Sequence, residues 1–131
     1  MKKLLFCLFI FLTGFFVKSC DRNDGDWDDN IKLSKKIVNF DSNPNSITIT
    51  TQTKNWWIDA ISLNGNDVNL TVTNTTQQNF VIDNSEFKVE RKDGNKIIIN
   101  MTENNTNFER TIKIGLQNGN YFDGIKITQA K

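Results

Sequence analysis

Histidine is absent from this chain of 131 residues, and with it goes the commonest general base and metal ligand of enzyme sites. Cysteine is scarce: Cys7 lies inside an apolar run and Cys20 just beyond it. Loss of a leader carrying Cys7 would leave no intrachain disulfide, so the body must be held by a packed core. Proline occurs once, at Pro44. Neither sign of charge dominates, with a net of +1, and no basic patch recommends nucleic acid. Phosphate loops, Gly-x-Ser-x-Gly elbows and clustered metal ligands are missing too. Carboxylates stand at Asp59, Asp67, Glu86, Glu90, Glu103 and Glu109, but spacing links none of them into the pair a glycosidase needs. The expectation is no enzyme, no cofactor and no metal.

What the chain does have begins at its start. Met1-Lys2-Lys3 is a short positive segment, residues 4–17 form an uncharged, Phe- and Leu-rich run, and Lys18-Ser19-Cys20 follows. The run falls short of the ~20 apolar residues that span a bilayer. It reads as a secretion signal cut near Ser19, the other reading being a retained N-terminal helix. Val17-Lys18-Ser19-Cys20 resembles a bacterial lipoprotein lipobox, with Lys18 where a small uncharged residue is usual. That resemblance implies a signal peptide over residues 1–19 and acylation of Cys20, palmitate included. Each buried acyl methylene contributes about 0.8 kcal/mol, and two chains or more anchor stably. The implied partner is a membrane, reached through a lipid and not through a span.

Asp21, Asp24, Asp26, Asp28 and Asp29 come next, opposed only by Arg22. Like charges without periodicity keep residues 20–31 extended as an acidic tether. The segment resembles the acid-rich stretch that follows Cys in surface-exposed lipoproteins of the Bacteroidetes, which implies an outer-membrane anchor with the body facing outward. In enterobacterial lipoproteins an Asp directly after Cys signals inner-membrane retention, so the address stays open. A calcium loop is excluded, because Asp29 occupies the turn-glycine position and Lys35 the terminal Glu position. Cleavage would remove Lys2, Lys3 and Lys18 from the 16 Lys and Arg, leaving 13 against 15 acids.

Residues 32–131 suit a single domain with a real core. Their pattern has period two, and no window holds a helical stripe. Ile47 and Ile49 alternate with threonines, as do Leu70 and Val72; Phe87 and Val89 alternate with Lys88 and Glu90. Ile97, Ile99 and Met101 share a face, then Ile112, Ile114 and Leu116, then Ile125 and Ile127. Asp93-Gly94, Asn118-Gly119 and Asn64-Gly65 accept the positive φ of tight hairpins, and Pro44 marks a turn. About seven short strands at this spacing predict an immunoglobulin-like antiparallel β-sandwich, with a small barrel as the alternative.

Trp56-Trp57-Ile58, the stretch from Asn105 to Arg110, and the closing Ile125-Lys126-Ile127-Thr128-Gln129 together resemble a BACON domain, the Bacteroidetes-associated carbohydrate-binding module. The likeness covers about residues 32–131. It implies the same sandwich, a surface setting, glycan or mucin binding, and bracing roles for Asn105 and Arg110. Adjacent strand residues point to opposite faces. Trp56 shares its side with Ile58 and Ala60 and belongs in the core, whereas Trp57 shares its side with Asp59 but also with Ile61 and Leu63. Trp57 and Asp59 are therefore carbohydrate-binding candidates, with Tyr121, beside Phe122, as a second platform at a hairpin tip. Trp27 in the tether suits a lipid interface as well as a ligand. Nineteen asparagines include Asn69, Asn74, Asn100 and Asn104, each opening an Asn-x-Thr sequence, read as composition and not as glycan acceptors. Two functions remain open: a glycan-binding module, or a structural spacer that docks an envelope protein in an outer-membrane assembly.

Overall fold

The computed structural model of the chain describes residues 28–131. The expected signal peptide, Cys20, Trp27 and the acids as far as Asp26 lie outside the described residues. Among the described residues every regular element is a strand: β1 (Ile37–Phe40), β2 (Asn45–Thr50), β3 (Trp57–Leu63), β4 (Asn66–Asp67), β5 (Phe80–Asp83), β6 (Phe87–Lys92), β7 (Lys96–Met101), β8 (Arg110–Asn118) and β9 (Tyr121–Gln129). Five of them order as β1-β9-β8-β3-β4 in one sheet, and four as β2-β7-β6-β5 in the other. Among the described residues no helix is long and apolar enough to cross a membrane.

Period-two spacing generates the core directly. Ile58, Ile61, Ile112, Ile114, Leu116, Ile125 and Ile127 point inward from the larger sheet, and Ile49, Phe87, Val89, Ile97, Ile99 and Met101 from the smaller, all buried. Interdigitation of two such faces makes a sandwich core about 10 Å thick. Asn64-Gly65 closes the β3–β4 hairpin with φ of 52° and 83°, the pair of positive values a type I′ turn demands.

The chain forms the expected immunoglobulin-like β-sandwich, and details within it differ from the expectation. β1 runs parallel to β9, with Ile37 opposite Lys126 and Phe40 opposite Gln129, so the sandwich is not wholly antiparallel. Strands number nine among the described residues instead of about seven. Leu70 and Val72 form no strand: Leu70 packs on the core, but Val72 is 91% exposed. The cause lies in the asparagines around them. Asn69 Oδ1 accepts the Thr71 N–H at 2.9 Å and Asn74 Oδ1 the Thr76 N–H at 3.2 Å, local turns that compete with a strand ladder. Asn104 does the same for Thr106 at 3.1 Å. Three of the four Asn-x-Thr sequences are thus Asx turns, a physical role beyond composition.

The packed body also starts earlier than residue 32. Ile31 is fully buried, and its carbonyl accepts the Gln52 N–H at 3.0 Å. Just before it, Asp29 Oδ1 accepts the N–H groups of Ile31 (3.1 Å) and Lys32 (2.7 Å). Lys36 Nζ sits 3.5 Å from Asp29 and 2.9 Å from the largely buried Asp123. The Lys32 N–H above all holds the Asp29 carboxyl below its ordinary value; burial opposes it, and the Ile31 N–H and the Lys36 ammonium assist. A depressed carboxyl pKa contributes stability above the unfolded value near 3.8, lost as pH falls through the folded value. Melting temperature should therefore fall less steeply between about pH 5 and pH 2 in Asp29→Asn than in the wild type. Parallel slopes would refute this.

Candidate functional site

Two neighbouring tryptophans build the site, one as anchor and one on display. Trp56 is 2% exposed; its indole N–H reaches Thr51 Oγ1 at 2.9 Å and the Thr53 carbonyl at 3.0 Å. Across its ring lies the Arg91 guanidinium, 3.7 Å from the centroid. Arg91 is 1% exposed and donates to the carbonyls of Lys54 (2.7 Å), Gln77 (2.9 Å) and Gly94 (2.9 Å). Burial pushes its pKa down to about 10, still well above neutrality, so the cation persists. The start of β3 is thereby fixed from inside. Sequence reasoning placed Trp56 in the core but missed Arg91, although Phe87, Val89 and Arg91 share one period-two phase.

With Trp56 locked inward, Trp57 faces out and is half-buried. Register puts it opposite Gln117, and Gln117 opposite Phe122. Phe122 is 60% exposed. The outer face of the five-stranded sheet therefore carries a row Trp57-Gln117-Phe122, with its aromatics two strand spacings, or about 10 Å, apart. On its other side Trp57 walls a depression of about 420 Å³ with Lys54, Asn55, Thr76 and Gln78.

The other two candidates land elsewhere. Asp59 is exposed and is the extra residue of a β-bulge, since Ile58 pairs with Leu116 and Ala60 with Gly115. The bulge resets the alternation, which returns Ile61 to the core and leaves Asp59 on the rim of a separate depression of about 510 Å³. Tyr121 turns to the core side, packed against buried residues. Burial first, then Asp123 and Asp29, raises its pKa. The residue displayed by that hairpin is Phe122. Alternation with buried Ile125 carried the signal: Tyr121 shares its phase and Phe122 does not. Among the described residues no cluster of His, Cys, Asp or Glu could hold a metal.

At the opposite end of the sandwich, Arg110 and Gln129 face each other in register, and both are buried. Arg110 braces the fold, and so does Asn104, whose amide donates to the carbonyls of Phe108 and Ala130 at 2.8 Å each. Asn105, expected to brace, is exposed.

No family model and no curated protein matches the chain. Solved structures do. A protein from Bacteroides thetaiotaomicron solved by NMR is 24% identical, with a TM-score of 0.64 over 85% of this chain and 96% of that one. The M1 domain from titin is 6% identical, with a TM-score of 0.50 over 76% of this chain and 91% of that domain. These likenesses define the class, an immunoglobulin-like β-sandwich.

Proposed function

We propose that this chain is a non-catalytic lipoprotein of BACON type, anchored through Cys20 in the outer membrane and holding glycan at the cell surface. The observation that carries the glycan reading is the outward row of Trp57, Gln117 and Phe122. Pyranose rings present C–H faces that pack on aromatic planes, while amides such as Gln117, Asn55 and Gln78 hydrogen-bond hydroxyls. Arg91 and Trp56 supply the rigidity such a platform needs, by preventing rotation of β3 that would withdraw Trp57.

Titration of the full chain against a panel of plant and mucin oligosaccharides tests this. Trp57→Ala and Phe122→Ala should each weaken binding by about tenfold or more, equal to about 1.4 kcal/mol. Unchanged affinity in both variants would refute the platform, and silence across the panel would favour a spacer. Anchoring has its own test. Mass spectrometry should find Cys20 acylated at the N-terminus of the mature chain, and an unmodified thiol there would overturn it.

A further inference from the structure

The same outer face holds an unsatisfied charge pair. Lys113 and Lys126 are direct cross-strand partners on β8 and β9, and both are exposed. Like charges directly opposite one another destabilise a sheet, and neither forms an ion pair among the described residues. Strands β1, β8 and β9 place no Asp or Glu on that face, because Asp123 is turned inward to Lys36. Asp67 lies in the same cross-strand row but beyond Ser62, two strands from Lys113.

Between the lysines and the aromatic row lies a row of minimal side chains, Ala60, Gly115 and Gly124. Neither Gly115 nor Gly124 has a positive φ; among the described glycines Gly65, Gly94 and Gly119 do. A Cβ on Gly115 would meet nothing nearer than 3.7 Å, ordinary contact with Ala60. The fold does not require glycine at Gly115, whereas at Gly124 a Cβ would sit 3.2 Å from the Ile114 carbonyl oxygen; mid-strand glycine weakens a strand while admitting close approach from outside. Aromatic and lysine rows are four residues apart along each strand, about 13 Å.

We propose that this face binds an anionic polysaccharide: sugar rings on Trp57 and Phe122, the chain lying over Gly115 and Gly124, and a carboxylate or sulfate at Lys113 and Lys126. The proposal rests on the glycan reading and adds the charge of the ligand. An ammonium is a compact point charge, so uronates and sulfate esters both satisfy it.

The test uses the full chain held by its anchor in neutral phosphatidylcholine vesicles. Probes are polygalacturonate and chondroitin sulfate, each beside its carboxyl-reduced or desulfated form. Charged forms should bind at least about tenfold more tightly, with the difference shrinking as salt rises. The double variant Lys113→Gln/Lys126→Gln should erase that preference. Gly115→Thr should lose binding to charged and neutral forms while melting no lower than the wild type. Equal binding of charged and neutral forms, unmoved by the lysine variant, would overturn the charge assignment and leave the glycan reading intact. Binding to none of the four would overturn both. Lysine-dependent capture of phosphatidylglycerol vesicles, without polysaccharide binding, would overturn the proposal in favour of a lipid surface.

Discussion

Arg91→Met should destabilise the domain by about 3–5 kcal/mol, which for roughly 100 residues lowers the melting temperature by about 15–30 °C. Methionine keeps much of the volume and removes the charge, so the loss measures unmet polar groups more than a cavity. Carbonyls of Lys54, Gln77 and Gly94 would lose their donor where water has little access. A desolvated cation over an indole adds about 2 kcal/mol, given up with the 3.7 Å stack on Trp56. Relief from burying a cation offsets part of this. Three segments hang on that one side chain: the entry to β3, the long connection before β5, and the β6–β7 hairpin. Arg91→Lys should fall between, since one ammonium cannot span three divergent carbonyls. Urea denaturation decides it, and a loss below about 1 kcal/mol for Arg91→Met would show that these bonds break even with solvent. The proposed glycan affinity should fall with stability in this variant, because Trp57, the first residue of β3, directly follows Trp56.

Why some of this was legible in the sequence and some not follows from the range of each interaction. Ile112, Ile114 and Leu116, or Ile97, Ile99 and Met101, declare their strands because side-chain alternation is a property of consecutive residues. Asn64-Gly65 and Asp93-Gly94 declare their turns for the same reason, since positive φ is local. Leu70-Thr71-Val72-Thr73 has a strand's pattern yet forms turns, because the amides of Asn69 and Asn74 claim backbone N–H groups that a ladder would need. The parallel pairing of β1 with β9 joins residues about ninety apart in sequence, and no local pattern encodes it. Ile31 looked like the end of a tether because acids precede it; its place in the body depends on Gln52, which donates to its carbonyl, and on Asp29, which accepts its N–H. The candidate site was half visible. Trp57 follows from alternation with Trp56, but its partner could be chosen as Phe122 over Tyr121 only by extending the phase of Ile125 back through Asp123 to the turn. Bulged Asp59 breaks the alternation at one residue, and with it the inference that Trp57 and Ile61 share a side.

Gln129→Leu should cost about 3–4 kcal/mol, although it replaces a neutral side chain on the last strand with one of similar size. Gln129 is 0% exposed and works in both directions. Its Oε1 accepts from Arg110 Nε at 3.1 Å and Nη2 at 2.6 Å. Its Nε2 donates to the carbonyls of Asn43 at 2.9 Å and Thr102 at 3.0 Å. Leucine would leave the buried guanidinium with Glu86 at 3.2 Å and the Thr102 carbonyl as its acceptors. The Asn43 carbonyl would lose this donor. Hydrogen bonds to a charged group contribute about 1.5–3 kcal/mol each, and leaving one partner behind costs more than removing both. Arg110→Leu/Gln129→Leu should therefore be more stable than the sum of the single losses allows, by about 1.5–3 kcal/mol of coupling. Additive losses would mean that the two side chains brace the chain end independently. Glu86 gives a second check: its 3.2 Å bond to Arg110 is on the half-exposed rim, so Glu86→Gln should cost no more than about 1 kcal/mol, placing the restraint on the neutral amide and not on the ion pair.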